Sequence, residues 1–403
     1  IYTPTDPSEV GVSQRHQGLP GTGYRLSPLT STPDAWFNIL STGNDYMRIE
    51  GIAVDGSNLS NAEHIRGIGV WSSDTRGDIR ISSNLVYNIT NSTIDDSDRS
   101  NVSGIVISTG YAVSVYNNII LNITCVSEHS SSDATGISSD PDAAGNVYSI
   151  YNNTVYDIKQ SAATGDFARG IYGTGTIATC AKNNIVKDVH SRGGSEFCFY
   201  EGGSGFSANS SHNASDDSTA PGSDAVDSSN IVFVNQEAGD LHLAASDTSA
   251  RDAGADLSSD LTMAFSDDID GDARPLGDAF DIGADEAQIP IYRSVGPGST
   301  SALSDGSSGR NLTVAGTTLT FSSDVLDTIG VGDVIEYDYN NSGSANTIAF
   351  ISGRTDSRTF TVRSLTGSTP AQTTALDQDW EIFRSYTSLD DAESGAENTG
   401  RSE

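Results

Sequence analysis

The chain has 403 residues and a formal net charge of −33, with only three lysines, Lys159, Lys182 and Lys187. That length allows two or three domains with sizeable cores, and the charge argues against nucleic acid as a partner, because phosphate binding needs a basic face. No stretch approaches the roughly 20 apolar residues of a membrane span, and Cys125, Cys180 and Cys198 allow one disulfide at most, with no CxxC pair for zinc or haem.

Glycine, serine, threonine, asparagine and aspartate dominate, as in secreted all-β proteins. The acidic surface reads first as a solvated, aggregation-resistant one and second as a calcium-binding one. From the N-terminus, YRLSPL (24–29), WFNIL (36–40) and DYMRIEGIAV (45–54) read as short, irregular coils. Ile1-Tyr2-Thr3 reads as a strand in mid-coil with no amphipathic cap helix before it, which predicts an open sheet edge.

From residue 79 the chain repeats: IRISSNLVYNI (79–89), VSVYNNIILNI (113–123), YSIYNNTVYDI (148–158) and TCAKNNIVKDV (179–189). Asn84, Asn118, Asn153 and Asn184 align at spacings of 34, 35 and 31 residues. Between them a glycine opens a second short strand, in RGIGV (66–70), SGIVI (103–107), TGISS (135–139) and RGIYG (169–173), with EFCFY (196–200) as a variant. Periods in this range mark repeat architectures, and the β-branched content without helical periodicity makes each unit a set of strands. Three apolar columns follow: Ile81/Val115/Ile150/Ala181, Val86/Ile120/Val155/Val186 and Ile89/Ile123/Ile158/Val189. Each unit hides its apolar face by stacking on the next, which predicts a right-handed parallel β-helix. The paired asparagines are expected to turn the corner, because Asn tolerates left-handed backbone, and to bond one another along the axis. Asn152, within a glycosylation sequon, is assigned to that ladder and is expected to carry no glycan. Polar loops at 90–101, 125–134, 139–146 and 159–168 decorate the coils.

After residue 205 the pattern changes, and residues 205–289 read as a closing segment of a first domain spanning 1–289. Asp268, Asp270 and Asp272 alternate in a way that can aim carboxylates at one calcium ion. The other reading is a turn capped by aspartates, with Arg274 pairing to Asp281 or Glu286 to pin the last coil. From 290 to 403 a second domain follows, a small β-barrel or sandwich with a polar tail. Its strands are NLTVAG (311–316), TLTFSS (318–323), DVIEYDY (333–339), TIAFISG (347–353), TFTVRS (359–364) and WEIFRS (380–385).

The string formed by Asp268, Asp270, Gly271, Arg274, Asp281, Ile282, Gly283, Ala284 and Glu286 resembles the DxDGxxR…DIGAxE ending of secreted bacterial β-helix proteins of the choice-of-anchor Q group. The resemblance spans about residues 44–287. It implies the pectate-lyase-like fold and an exported, often surface-held protein, and it does not imply catalysis. The 291–387 block looks like a module found in tandem in very large surface proteins of marine bacteria, ahead of a β-helix segment. In that arrangement YTSLDDAESGAENTG runs into a coil that reaches an IYTP strand, which implies one period of a longer array or a polymer subunit.

A β-helix lyase needs a Lys or Arg base near calcium-binding carboxylates, and a hydrolase needs two or three carboxylates about 5–9.5 Å apart. The glycine-opened strands read as exposing Gly, Ser, Val and Tyr, without an acid cluster. The six histidines are scattered, and no HExxH or GxSxG occurs. The expectation is therefore a non-catalytic extracellular structural or adhesive protein, a head-to-tail self-assembling filament subunit or one period of a surface array. Its expected partners are itself and glycans, its expected ion Ca2+. A polysaccharide lyase or hydrolase, and a virus tailspike or fibre, are the alternatives.

Overall fold

The computed structural model describes residues 1–4, 8, 13–28, 36–42, 46–59, 64–72, 77–91, 100–109, 112–141, 148–175, 178–288, 292–296, 301–376, 378–386 and 388. Most of the expected 90–101 loop and the tail after 388 lie outside these residues. The chain divides into two compact units, the first holding 1–275 and 279–287, the second 276–278 and 288–403. Among the described residues no helix is long and apolar enough to cross a membrane.

The first unit is a parallel β-helix built from three sheets. The first sheet stacks Arg25–Leu26, Ala53–Asp55, Leu85–Thr90, Ile119–Cys125, Thr154–Gln160, Ile185–Ser191 and Ala214–Ser215. The second stacks Trp36–Thr42, His64–Ser72, Val102–Thr109, Ala134–Pro141, Phe167–Gly173 and Ser195–Glu201. The third stacks Arg48–Glu50, Asp78–Ser82, Ala112–Tyr116, Tyr148–Tyr151 and Cys180–Lys182. Tyr2 adds a parallel bridge to Glu50, as the mid-coil reading of the N-terminus predicts.

The three apolar columns stand in register and are buried. Val86, Ile120, Val155 and Val186 pair rung on rung and are 0% exposed, each burial stabilising by about 1.5–3 kcal/mol. The glycine column Gly67, Gly104, Gly136 and Gly170 faces them. A Cβ at Gly136 would stand 2.5 Å from Val155 Cγ1 and 2.6 Å from the Gly170 carbonyl, so this strand has no room for a side chain there. All three cysteines are free and buried, so the disulfide that their number allowed does not form.

The paired asparagines divide the work that the sequence reading gave to one residue. The first of each pair takes the left-handed bend: Asn117 (φ 53°), Asn152 (φ 48°) and Asn183 (φ 54°), with Ser83 and His212 at the equivalent corners. The second forms the ladder. Asn84, Asn118, Asn153 and Asn184 each donate Nδ2 to the Oδ1 of the next, at 3.0, 2.9, 3.0 and 2.9 Å, the last acceptor being Asn213. Asn152 is thus a corner residue and not a rung of the ladder; it is nonetheless fully buried.

The closing segment does not simply add coils. A last half turn sets Ser223 beside Ser211 and Val226 beside Ala214. The chain then runs back along the outer face of the first sheet. Leu85, Ile119 and Ile185 point out of the helix there, and Ile231, Phe233, Leu241, Leu243, Ile269 and Ile282 cover them in a second apolar cluster. The corner asparagines hold this segment: Asn117 Nδ2 donates to the Asp267 carbonyl, Asn152 Nδ2 to that of Gly283 and Asn183 Nδ2 to that of Ala255, at 2.8, 3.0 and 2.9 Å.

The second unit is an antiparallel sheet curled as a half-barrel. Its order is Ser304–Asp305, Trp380–Phe383, Val334–Tyr337, Thr347–Arg354, Thr359–Arg363, Thr318–Phe321, Leu312–Ala315. All six expected strands are present, and Ser304–Asp305 is a seventh. Trp380, Tyr337, Phe321 and Phe360 fill the core, and Trp380 Nε1 donates to the Arg310 carbonyl at 2.9 Å.

The ladder yields the first prediction. Asn153→Ala removes donors to the carbonyls of Val115 and Tyr151 and to Asn184, and the acceptor used by Asn118. Leaving such groups buried without partners costs about 3 kcal/mol or more, read by urea unfolding of the purified chain. A loss under about 1 kcal/mol would mean that the amides do not carry the stack.

Candidate functional site

The second sheet carries an open groove on the first unit's surface. Inward residues alternate with outward ones, and the outward positions of four successive strands line a groove of about 590 Å3. Register places Arg66, Ser103, Thr135 and Arg169 in one row, and Val106, Ser138 and Tyr172 in the next. Trp71, Ser108 and Asp140 form a third. Asn101, Asp133 and Asp166, each just before its strand, add to the lining.

Both ends of the groove pair an arginine with aromatic rings. At one end the Arg66 guanidinium lies 4.7 Å from the Trp71 ring, and burial lowers its pKa to about 10. The glycine at position 69 is what lets that ring lie across the strand, since a Cβ there would collide with it. At the other end Arg169, 7% exposed, sits 4.0 Å from the centroid of Phe167, 4.5 Å from Tyr172 and 4.9 Å from Tyr200. Its Nη1 bonds Asp133 Oδ2 at 3.2 Å, and its Nε is buried without a hydrogen-bond partner. Stacking against three rings holds the guanidinium where a buried charge would otherwise be costly. Between the two ends the floor is hydroxyls: Ser103, Ser108, Thr135 and Ser138. Such a trough can stack the apolar faces of sugar rings at its ends and bond their hydroxyls along its floor.

This groove is richer than the sequence reading of the same strands. Besides Gly, Ser, Val and Tyr they carry Arg66, Trp71, Asp140 and the largely buried Arg169 on this face, and Asp133 and Asp166 join them. The signal lay in RGIGV and RGIYG, where the arginine precedes an inward-facing glycine and so faces out.

The three aspartates read as a calcium set occupy different surroundings. Asp268 is fully buried. Its Oδ1 accepts from the backbone N–H of Asp270 and Asp272 at 2.9 and 2.8 Å, and its Oδ2 from that of Glu286 at 3.1 Å. Arg274 Nη1 bonds Glu286 Oε1 at 2.7 Å with both side chains buried, and its remaining donors reach the carbonyls of Asp267, Asp281 and Gly283. This geometry is that of the capped turn, except that it pins the returning segment and not a last coil. Asp270 turns instead to His242, Oδ2 to Nε2 at 2.8 Å, while Asp240 Oδ1 meets Nδ1 at 2.6 Å. Burial opposes a charge on His242, but its hydrogen bonds to the Asp270 and Asp240 carboxylates and the nearby Asp285 carboxylate outweigh it and raise the pKa to about 10.

His16 approaches the same turn and behaves oppositely. Burial lowers its pKa to about 4, although a hydrogen bond to the Ser83 carbonyl opposes the shift. Nδ1 accepts from the Gly18 N–H at 3.1 Å, so the neutral ring donates Nε2–H to Ser83 at 2.9 Å.

No family model, curated protein or solved structure matches this chain.

His16 sets a pH dependence. Its folded pKa lies below the ordinary 6.5, so the folded state is favoured in full above pH 6.5 and loses that advantage as pH falls toward 4. The loss should reach up to about 3 kcal/mol. In urea unfolding, the stability difference between the native chain and His16→Gln should shrink from pH 7.5 to pH 4.5. Parallel pH profiles would contradict a neutral, buried His16.

Proposed function

We propose that this chain is a non-catalytic, extracellular adhesive module whose β-helix presents the second-sheet groove to a saccharide chain. One observation carries the reading: a hydroxyl-lined floor lies between two arginine–aromatic platforms. Three rungs separate Trp71 from Tyr172, about 14 Å at about 4.8 Å per strand, which suits a short oligosaccharide lying along the helix axis. The strongly acidic chain and the resemblance of the 268–286 string to exported, surface-held bacterial β-helix proteins support an extracellular setting.

A second reading has its own support. Asp133, Asp140 and Asp166 line the groove, so polysaccharide cleavage is the competing chemistry. Self-association is proposed as well. Among the described residues no strand pairs with the outer edges of Arg25–Leu26 and Trp36–Thr42, and Tyr24 and Tyr46 are 54% and 71% exposed near that end. Sheet edges and exposed rings together invite a second copy, and sedimentation should show association that rises with protein concentration.

The groove is tested by screening the full chain on a glycan array and titrating the best oligosaccharide by calorimetry. Trp71→Ala should weaken binding by about tenfold or more with little change in melting temperature, and Tyr172→Ala should weaken it similarly while lowering the melting temperature through the lost ring on Arg169. Binding unchanged in both variants, or no saccharide bound at all, would overturn the adhesive reading. Accumulation of cleaved product that stops with Asp140→Asn would establish the enzyme instead.

A further inference from the structure

We propose that His242, Asp270 and Asp285 form a binding site for one divalent metal ion of the zinc class, seated where the returning segment meets residues 16–23. Each residue offers one ligand atom, and these atoms all lie within 4.8 Å of one another. One imidazole nitrogen with two carboxylate oxygens is a donor set for zinc or a neighbouring transition metal; calcium prefers oxygen alone.

Further contacts frame the cluster. Asp240 Oδ1 holds His242 Nδ1 at 2.6 Å, which turns Nε2 toward the two carboxylates. A carboxylate behind the ring is the usual support of a metal-bound histidine. Gly18 (φ 63°) brings the backbone close to that ring: a Cβ would stand 2.6 Å from Nε2, which leaves no room for a side chain. A cavity of about 630 Å3 lined by Arg15, His16, Gln17 and Asp270 reaches one of the three, Asp270, from outside. Asp285 is only 4% exposed, and its Oδ2 accepts from the Leu243 N–H at 2.7 Å, which fixes the carboxylate beside His242. The ion would tie the strand Asp240–Leu243 to the turn at Asp270 and to the irregular segment at Asp285. Its role is therefore structural.

The test uses the full chain, stripped with chelator and titrated with zinc sulfate by calorimetry, with melting temperature as a second readout. One equivalent should bind and raise the melting temperature. His242→Ala should abolish that binding. Asp240→Asn, which leaves all three ligands in place, should weaken it 10–100-fold and carries the test where His242→Ala does not fold. Absence of saturable binding overturns the proposal, as does unchanged zinc affinity in both variants. A calcium arm separates the two metal readings: saturable calcium binding that survives His242→Ala but is lost in Asp272→Asn assigns the site to the 268–272 turn and overturns the one proposed here.

Discussion

The amide of one coil bonds the amide of the next, and the rest of the first unit is built on that repeat. Each inner ladder asparagine, Asn118, Asn153 and Asn184, gives its Nδ2 protons to the next amide and to a carbonyl of the previous coil, and its Oδ1 receives both the side-chain and the backbone N–H of the asparagine before it. A slip of one residue would strand several buried polar groups at once, which is far costlier than any single lost contact. The ladder therefore locks the register, and a locked register turns every sequence position into a column. Inward columns become a continuous aliphatic core. Outward columns become surfaces whose chemistry extends over several rungs.

The outward columns of two sheets serve different ends. Those of the second sheet are polar, with an arginine and aromatic rings at each end, and they remain open as a groove. Those of the first sheet are apolar, and the segment from Ile231 to Ala287 covers them. Covering a flank with a chain that lacks a regular sheet leaves many backbone groups to satisfy. The aspartates supply this: Asp247 accepts from the N–H of Ser249, Ala250 and Arg251, and Asp281 from those of Asp252 and Ala287. The buried Arg274–Glu286 pair adds directional donors to three carbonyls. Burying such a pair stabilises little in net terms, but it disfavours any other path for the segment. The abundance of aspartate after residue 240 thus has a local cause besides solubility.

The repeat made the core legible. A period near 34 residues with β-branched flanks was enough to place three columns that stand in register, and the strand positions of the second unit followed from its turns. Asn213 escaped notice because its setting, SHNAS, lacks the aliphatic run that marked the other four ladder members. The roles of Asn152 and Asn153 could not be divided, since either residue type tolerates a left-handed bend and only geometry shows which amide points along the axis. The returning path after residue 230 was equally hidden. Leu85, Ile119 and Ile185 lie within the repeated apolar runs beside the inward columns, and nothing local says that they pack under another segment. Arg66 and Arg169 were in view but unweighed, because the outward direction follows only once the neighbouring glycines are known to face in. The aspartates of the 268–272 turn share a spacing that suits either a cation or backbone caps, and the partners that decide between them, Glu286 and His242, are distant in sequence.

Amide hydrogen exchange at the side chains of Asn84, Asn118, Asn153, Asn184 and Asn213 measures the ladder directly. If these amides lock the register, their NH2 protons exchange only through large-scale opening, with protection close to that of the slowest backbone amides in the first sheet. Exchange at rates near those of exposed asparagine side chains, in a protein whose backbone amides remain protected, would contradict the account.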